Sequence, residues 1–283
     1  MVRTRILTVL ILLPVVLFFV YLGGIPWLVG ILVVGVIGWH EMTLLLAKPP
    51  WTRTPGTGRT PQGDQFTVDR SLGFFFVIGA IIVAYTQALG LTATDLLRPL
   101  LTVLIMFSLI WALFLRSDHP TADWGVTVAS ALYLGFMLSH FVTLRERSDG
   151  LQWLLLAFAI TWTIDACAFF AGRLWGRHKW WPRLSPKKTW EGLIGGSVAG
   201  IAGAMVLGAL LVGLNPWLGL LLGVLAAVFA PMGDLAISLF KRKAGAKDTG
   251  QLIPGHGGVL DRLDSLLFVV PLVTYFALVV AGP

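Results

Sequence analysis

WLGLLLGVLAAVFAPMGDLAISLF, residues 217–240, followed at once by KRKAGAKDTG, residues 241–250, is the stretch that decides how this chain folds. Its 24 residues are apolar or small except for a single charge, Asp234. About 20 helical residues cross a hydrocarbon core, where a helix satisfies every backbone polar group internally. The segment therefore reads as a membrane span that ends on a basic cytoplasmic cluster. Similar apolar runs occupy 6–22, 26–47, 72–91, 96–115, 124–144, 151–172, 193–214 and 265–281. Bulk composition agrees: 57% of the 283 residues are hydrophobic and 12% charged, against about 25% charged in a soluble domain, and the mean hydropathy is +0.84. The expected fold is all-α, a polytopic membrane protein with about nine transmembrane helices.

Nine spans place the connecting segments alternately on two sides, so their Lys and Arg content can be compared. Eighteen of the 21 basic residues fall on the side of the N-terminus, and only Arg98, Arg145 and Arg147 on the other. By the positive-inside rule the N-terminus is cytoplasmic and the C-terminus outside. Arg3 and Arg5 before the first run resemble a signal peptide, but the run is long and no A-x-A-like cleavage site follows it. The net charge of +7 marks an inner face suited to lipid headgroups, phosphates and nucleotides. One cysteine, Cys167, excludes an intrachain disulfide and a cysteine metal cluster.

We divide the chain into residues 1–150, about five spans, and 151–283, a catalytic region carrying two cytoplasmic basic loops. The Pro-, Thr- and Gly-rich segment 48–71 reads as a surface loop without chemistry of its own. Segment 173–192 mixes Trp175, Trp180, Trp181 and Trp190 with basic residues. That pattern fits the headgroup level of a bilayer, and no nucleic acid is expected as a partner. Gly192, Gly196, Gly200, Ala204 and Gly208 form a stripe of small residues at helical spacing. Such a stripe serves either an internal seam or a homodimer contact.

Acidic residues inside a bilayer are costly and mark function. Asp165 lies about two turns before Arg173, with Thr161 one turn deeper on the same face. Asp234, Ser238 and Lys241 fall at i, i+4 and i+7, so an acid, a hydroxyl and a base share one helix face. Beyond them come Arg242, Lys247, Asp248, the run Pro254-Gly255-His256-Gly257-Gly258, and Asp261-Arg262-Leu263-Asp264. Clustered Lys and Arg suit phosphate oxygens, Gly-rich backbone can present amides to anions, and carboxylates with substrate phosphates are what Mg²⁺ prefers. There is no G-x-x-x-x-G-K-[ST] loop, H-E-x-x-H pair or nucleophile elbow. What remains is a membrane-embedded site for phosphoryl chemistry.

At these residues the chain resembles the phosphatidate cytidylyltransferases, also called CDP-diacylglycerol synthases. The family pattern joins a serine, a Lys-Arg pair, a Lys-Asp pair, a proline or glycine, His-Gly-Gly and Asp-Arg-x-Asp at fixed spacing. Ser238, Lys241, Arg242, Lys247, Asp248, Pro254, His256, Gly257, Gly258, Asp261, Arg262 and Asp264 fill it. Gly233-Asp234-Leu235, the run from Ser185 through Lys187, Lys188 and Glu191 to Gly192, and the stretch 165–173 are similar too. The match is detailed over the C-terminal half, while the first 150 residues match only as apolar spans. Ile237 and Phe169 depart from the Glu and Tyr common in the family.

The resemblance implies that CTP and phosphatidate give CDP-diacylglycerol and pyrophosphate with Mg²⁺, at the cytoplasmic face of the cell's inner membrane. A second cation stays open. On this reading Asp234, Asp261, Lys247 and Arg262 are catalytic. Asp234, Asp261 and Asp165 are the metal-ligand candidates. Ser185, Lys187, Lys188, Ser238, Lys241, Arg242, Asp248 and His256 bind substrate. The lipid phosphate, a phosphomonoester with a second pKa of about 6, is already largely dianionic and needs no obligatory base. Two other readings stay open at this point: a cytidylyltransferase acting on a different lipid, and an ion-coupled transporter.

Overall fold

A computed structural model of the protein describes residues 2–47, 67–91, 96–114, 117–253, 255 and 257–282. Its helices are α1 (Val2–Leu22), α2 (Gly24–Leu46), α3 (Arg70–Ala88), α4 (Leu97–Ala112), α5 (Pro120–Arg145), α6 (Gly150–Trp175), α7 (Trp190–Val212), α8 (Pro216–Lys243), α9 (Leu260–Leu263) and α10 (Leu266–Ala281). Two short strands, β1 (Lys179–Trp181) and β2 (Ser185–Thr189), interrupt them. Six helices, α2, α3, α5, α6, α7 and α8, are long and apolar enough to cross a membrane; α4, α10 and the Leu10–Leu22 part of α1 are shorter apolar stretches. Each expected span falls on one of these nine. Most of the 48–71 loop lies outside the described residues.

The eighth apolar run yields a helix longer than expected, since α8 continues three residues past Phe240 to Lys243. Its basic end suits the negative pole of a helix C-terminus. Large apolar side chains remain exposed on the long helices, among them Ile25 of α2 and Val198 and Leu210 of α7 at 67, 63 and 76%. In a soluble protein surfaces of this kind would demand a partner; on helices of this length they are lipid-facing walls. The protein is a polytopic, almost wholly helical membrane protein.

Two compact units divide the chain. The first joins Met1–Leu13, Leu28–Ser139 and Leu239–Asp261. Here close helix approach rests on glycine: a Cβ on Gly135 of α5 would sit 2.8 Å from the Val77 backbone of α3, and one on Gly73 would collide with the Trp39 indole of α2. The second joins Pro14–Trp27, His140–Ser238 and Arg262–Pro283. Its main seam packs α6 on α7. The stripe Gly192, Gly196, Gly200, Ala204 and Gly208 is buried, and Cβ atoms on its first three glycines would strike Ala168, Ile164 and their backbone on α6. The stripe is thus used inside the chain and gives no support to a dimer contact.

At one end of this second unit two turns and the end of α10 are tied together. Arg145 donates to the carbonyls of Val20 and Tyr21. Glu146 accepts from the Gly24 amide at 2.8 Å, and Arg147 donates to the Gly282 carbonyl at 2.9 Å. The start of α2, the α5–α6 turn and the end of α10 therefore meet.

Candidate active site

In the second unit, β1 and β2 form an antiparallel ribbon with Lys179 opposite Thr189 and Trp181 opposite Ser185. The all-α fold expected from the sequence made this a basic loop, and the ribbon is a departure from it. Thr189 ends the ribbon and caps α7, its side chain accepting from the Gly192 amide. Cβ atoms at Gly172 on α6 and at Gly176 just past its end would press on that threonine. Trp180 packs edge-on against Trp181 and Trp190, and Lys188 Nζ lies 5.8 Å from the Trp180 ring centre. This scaffold aims Lys188 at Asp234 of α8, with Nζ 2.7 Å from Oδ2.

Asp234 Oδ1 accepts from Ser238 Oγ at 3.2 Å, as the i, i+4 spacing anticipated. Its backbone neighbour Gly233 is glycine because a Cβ would strike the Asp264 carbonyl. Asp165 of α6 stands within electrostatic reach of Asp234, Lys188 and Arg262 and hydrogen-bonds the Ser265 hydroxyl. Two acids and two cations thus gather where α6, α8, β2 and the end of α9 meet. Thr161 takes no part, since its hydroxyl donates to its own helix at Ala157. Alternation along β2 sends Lys187 to the side opposite Lys188; Lys187 is exposed and Ser185 half-buried.

Lys241, expected beside Asp234, instead donates to Asp261 Oδ1 at 2.8 Å within the first unit. Asp261 Oδ2 accepts from the amides of Thr249 at 2.7 Å and Gly258 at 3.0 Å, with Thr249 Oγ1 3.1 Å away. Burial opposes ionisation of Asp261, but the hydrogen bonds from Lys241, Gly258 and Thr249 outweigh it and hold the carboxyl below its ordinary range. The Gly-rich run does present amides to anions, yet the anions it meets are the protein's own carboxylates. Arg242 is exposed and donates to the Ala246 carbonyl. Lys247 and Asp248 are exposed, and His256 lies outside the described residues.

Glu41 of α2, which is 3% exposed, was not among the residues expected at the site. Its carboxylate accepts from Thr249 Oγ1 at 2.8 Å and from the amides of Val259 at 2.9 Å and Leu260 at 3.0 Å. Cβ atoms on Gly250 and Gly258 would run into it. The rule that singled out Asp165 and Asp234, an acid inside an apolar span, applies equally to Glu41.

Among the described residues no group of three or more His, Cys, Asp or Glu gathers as a metal cluster. Mg²⁺ commonly takes one or two carboxylates and completes its shell with water and substrate phosphates, and Asp165 with Asp234 fits that pattern. Asp234 keeps a side chain 28% exposed, with acceptor capacity left over. Asp261 fits poorly: its side chain is 5% exposed and donors already engage both oxygens.

The family model described as the cytidylyltransferase family matches residues 3–280. A protein of Staphylococcus haemolyticus named phosphatidate cytidylyltransferase is 37% identical over 201 residues, covering 71% of this chain and 76% of its own length. One of the same name from Brucella suis is 30% identical over 282 residues, covering 99% and 95%. The likeness therefore extends through the first 150 residues, beyond the C-terminal half in which the sequence motifs lie.

Proposed function

The chain belongs to the cytidylyltransferase family, and from that premise we propose that it transfers a cytidylyl group from CTP to phosphatidate, giving CDP-diacylglycerol and pyrophosphate. An oxygen of the lipid phosphate forms a bond to the α-phosphorus of CTP as the bond to the departing pyrophosphate breaks. Both reactants are anions, so the work lies in positioning and charge stabilisation. The observation that carries the reading is the Lys188–Asp234 pair with Asp165 and Arg262 beside it. Acids for a cation and bases for phosphate stand at the cytoplasmic ends of apolar helices.

Mg²⁺ held by Asp234 and Asp165 would neutralise charge on the triphosphate. Lys188 and Arg262 orient phosphate oxygens from the same side. Ser238 holds Asp234 in place, exposed Lys187 attracts anions to the second unit with Ser185 as a hydrogen-bonding partner for phosphate, and exposed Arg242 and Lys247 attract anions to the first. Asp261, paired with Lys241, orders the loop that carries Asp248 and His256. This reassigns Asp261 from metal ligand to loop organiser.

We propose nine spans with the N-terminus inside and the C-terminus outside, in the inner membrane, with the site facing the cytoplasm. Three contacts support this: the α1–α2 turn, the α5–α6 turn and the end of α10 are joined by Arg145, Glu146 and Arg147. An alternating nine-span chain puts all three on its outer side.

The test is CTP-dependent pyrophosphate release in micelles containing phosphatidate. Asp234→Asn is expected to lose at least about 10³-fold in turnover while keeping its melting temperature in detergent. Retained turnover would overturn the role of Asp234. Equal turnover on a polyprenyl phosphate would overturn the choice of acceptor.

A further inference from the structure

We propose that Glu41 is a positioning residue for cytidylyl transfer, the clamp that holds the 248–260 loop, and through Thr249 the carboxylate of Asp261, in working geometry. The proposal rests on the reaction assigned above and adds to it a residue from the N-terminal helices.

A carboxylate as buried as Glu41 is costly unless fully hydrogen-bonded, and its three donors, two amides and one hydroxyl, are all neutral. An apolar side chain would fill the same wall of α2 at less cost. What the acid supplies is reach to two places in the loop, residue 249 near its start and residues 259 and 260 at its end. Glycine at 250 and 258 is shaped around it, since a Cβ at 250 would sit 2.7 Å from Glu41 Oε1 and one at 258 would collide with Oε2. Thr249 Oγ1 lies 2.8 Å from Glu41 and 3.1 Å from Asp261, so its single hydrogen is shared between two carboxylates. A shift of Glu41 therefore passes directly to Asp261, and to the Arg262 that follows it in the chain. Glu41 acts on the reaction only through the loop.

The test compares Glu41→Gln, Thr249→Val and Thr249→Ser in the full-length, detergent-solubilised protein. It reads kcat and KM for both substrates, melting temperature, and hydrogen exchange of the peptide spanning 249–260. Glu41→Gln puts an amide among amide donors. It is expected to lower kcat by about 10–100-fold with KM for phosphatidate unchanged. Exchange should quicken in 249–260 and not in α5 or α6. Thr249→Ser should behave as wild type, and Thr249→Val should show a smaller fall. Wild-type kcat in Glu41→Gln would overturn the proposal. So would loss of protection spread over all helices while Thr249→Val stays normal, because Glu41 would then be a purely structural group. The exchange arm reads the clamp even with a different lipid acceptor, so failure of the reaction assignment stays distinguishable.

Discussion

At the scale of single residues, the partners of Lys241 and Asp261 make a sharp case. Both are buried, so removing one leaves the other uncompensated, at a cost of about 3–5 kcal/mol. Lys241→Met should therefore lower the detergent melting temperature clearly, while Lys241→Met combined with Asp261→Asn should recover much of the loss. Equal melting of single and double variants would show that the pair is not coupled. Acid should act through the same carboxylate. Its folded pKa lies below the unfolded value of about 3.9. The stability that it contributes is therefore complete above that value and is lost as pH falls through the folded pKa. Limited proteolysis of the 248–260 loop should stay flat from neutral pH down to about 5 and accelerate only below about 4. Asp234 and Ser238 were legible because helical periodicity alone brings them together. The reach of Lys241 to Asp261 and of Glu41 to Thr249 was not, because a loop's return path has no period to read.

Among elements, the apolar helices were legible and the ribbon was not. Nine apolar runs announce nine helices through composition alone, with boundaries shifted by a few residues. KWW and SPKKT are too short and too polar to show strand alternation, and their pairing comes from tryptophan packing and from Thr189 seated on glycines of α6. The α6–α7 seam shows how a stripe can be read correctly while its partner stays unknown. Small residues predict a close approach but do not say to what. Gly200→Leu would drive a branched side chain into Ile164 and should destabilise the protein by about 1–3 kcal/mol. Val206→Leu, on an exposed position of the same helix, should leave melting unchanged. A Gly200→Leu variant as stable as wild type would refute the seam.

At the level of the whole molecule, charge asymmetry and helix count make a testable topology. In a cysteine-free background with Cys167→Ala, single cysteines at positions 148 and 282 should react with a membrane-impermeant maleimide on intact cells. Cysteines at 187 and 247 should react only after permeabilisation. Labelling of 187 from outside would reverse the orientation. Thr249 and Glu41 are 208 residues apart in sequence, so the glycine loop closes onto a helix that the ribosome completed long before. Contacts of such separation form late in folding. A nascent chain halted before residue 241 has inserted most of its spans but lacks the segment that fastens onto Glu41. The clamp between Glu41 and Thr249 thus forms only after the whole of the intervening chain has been made.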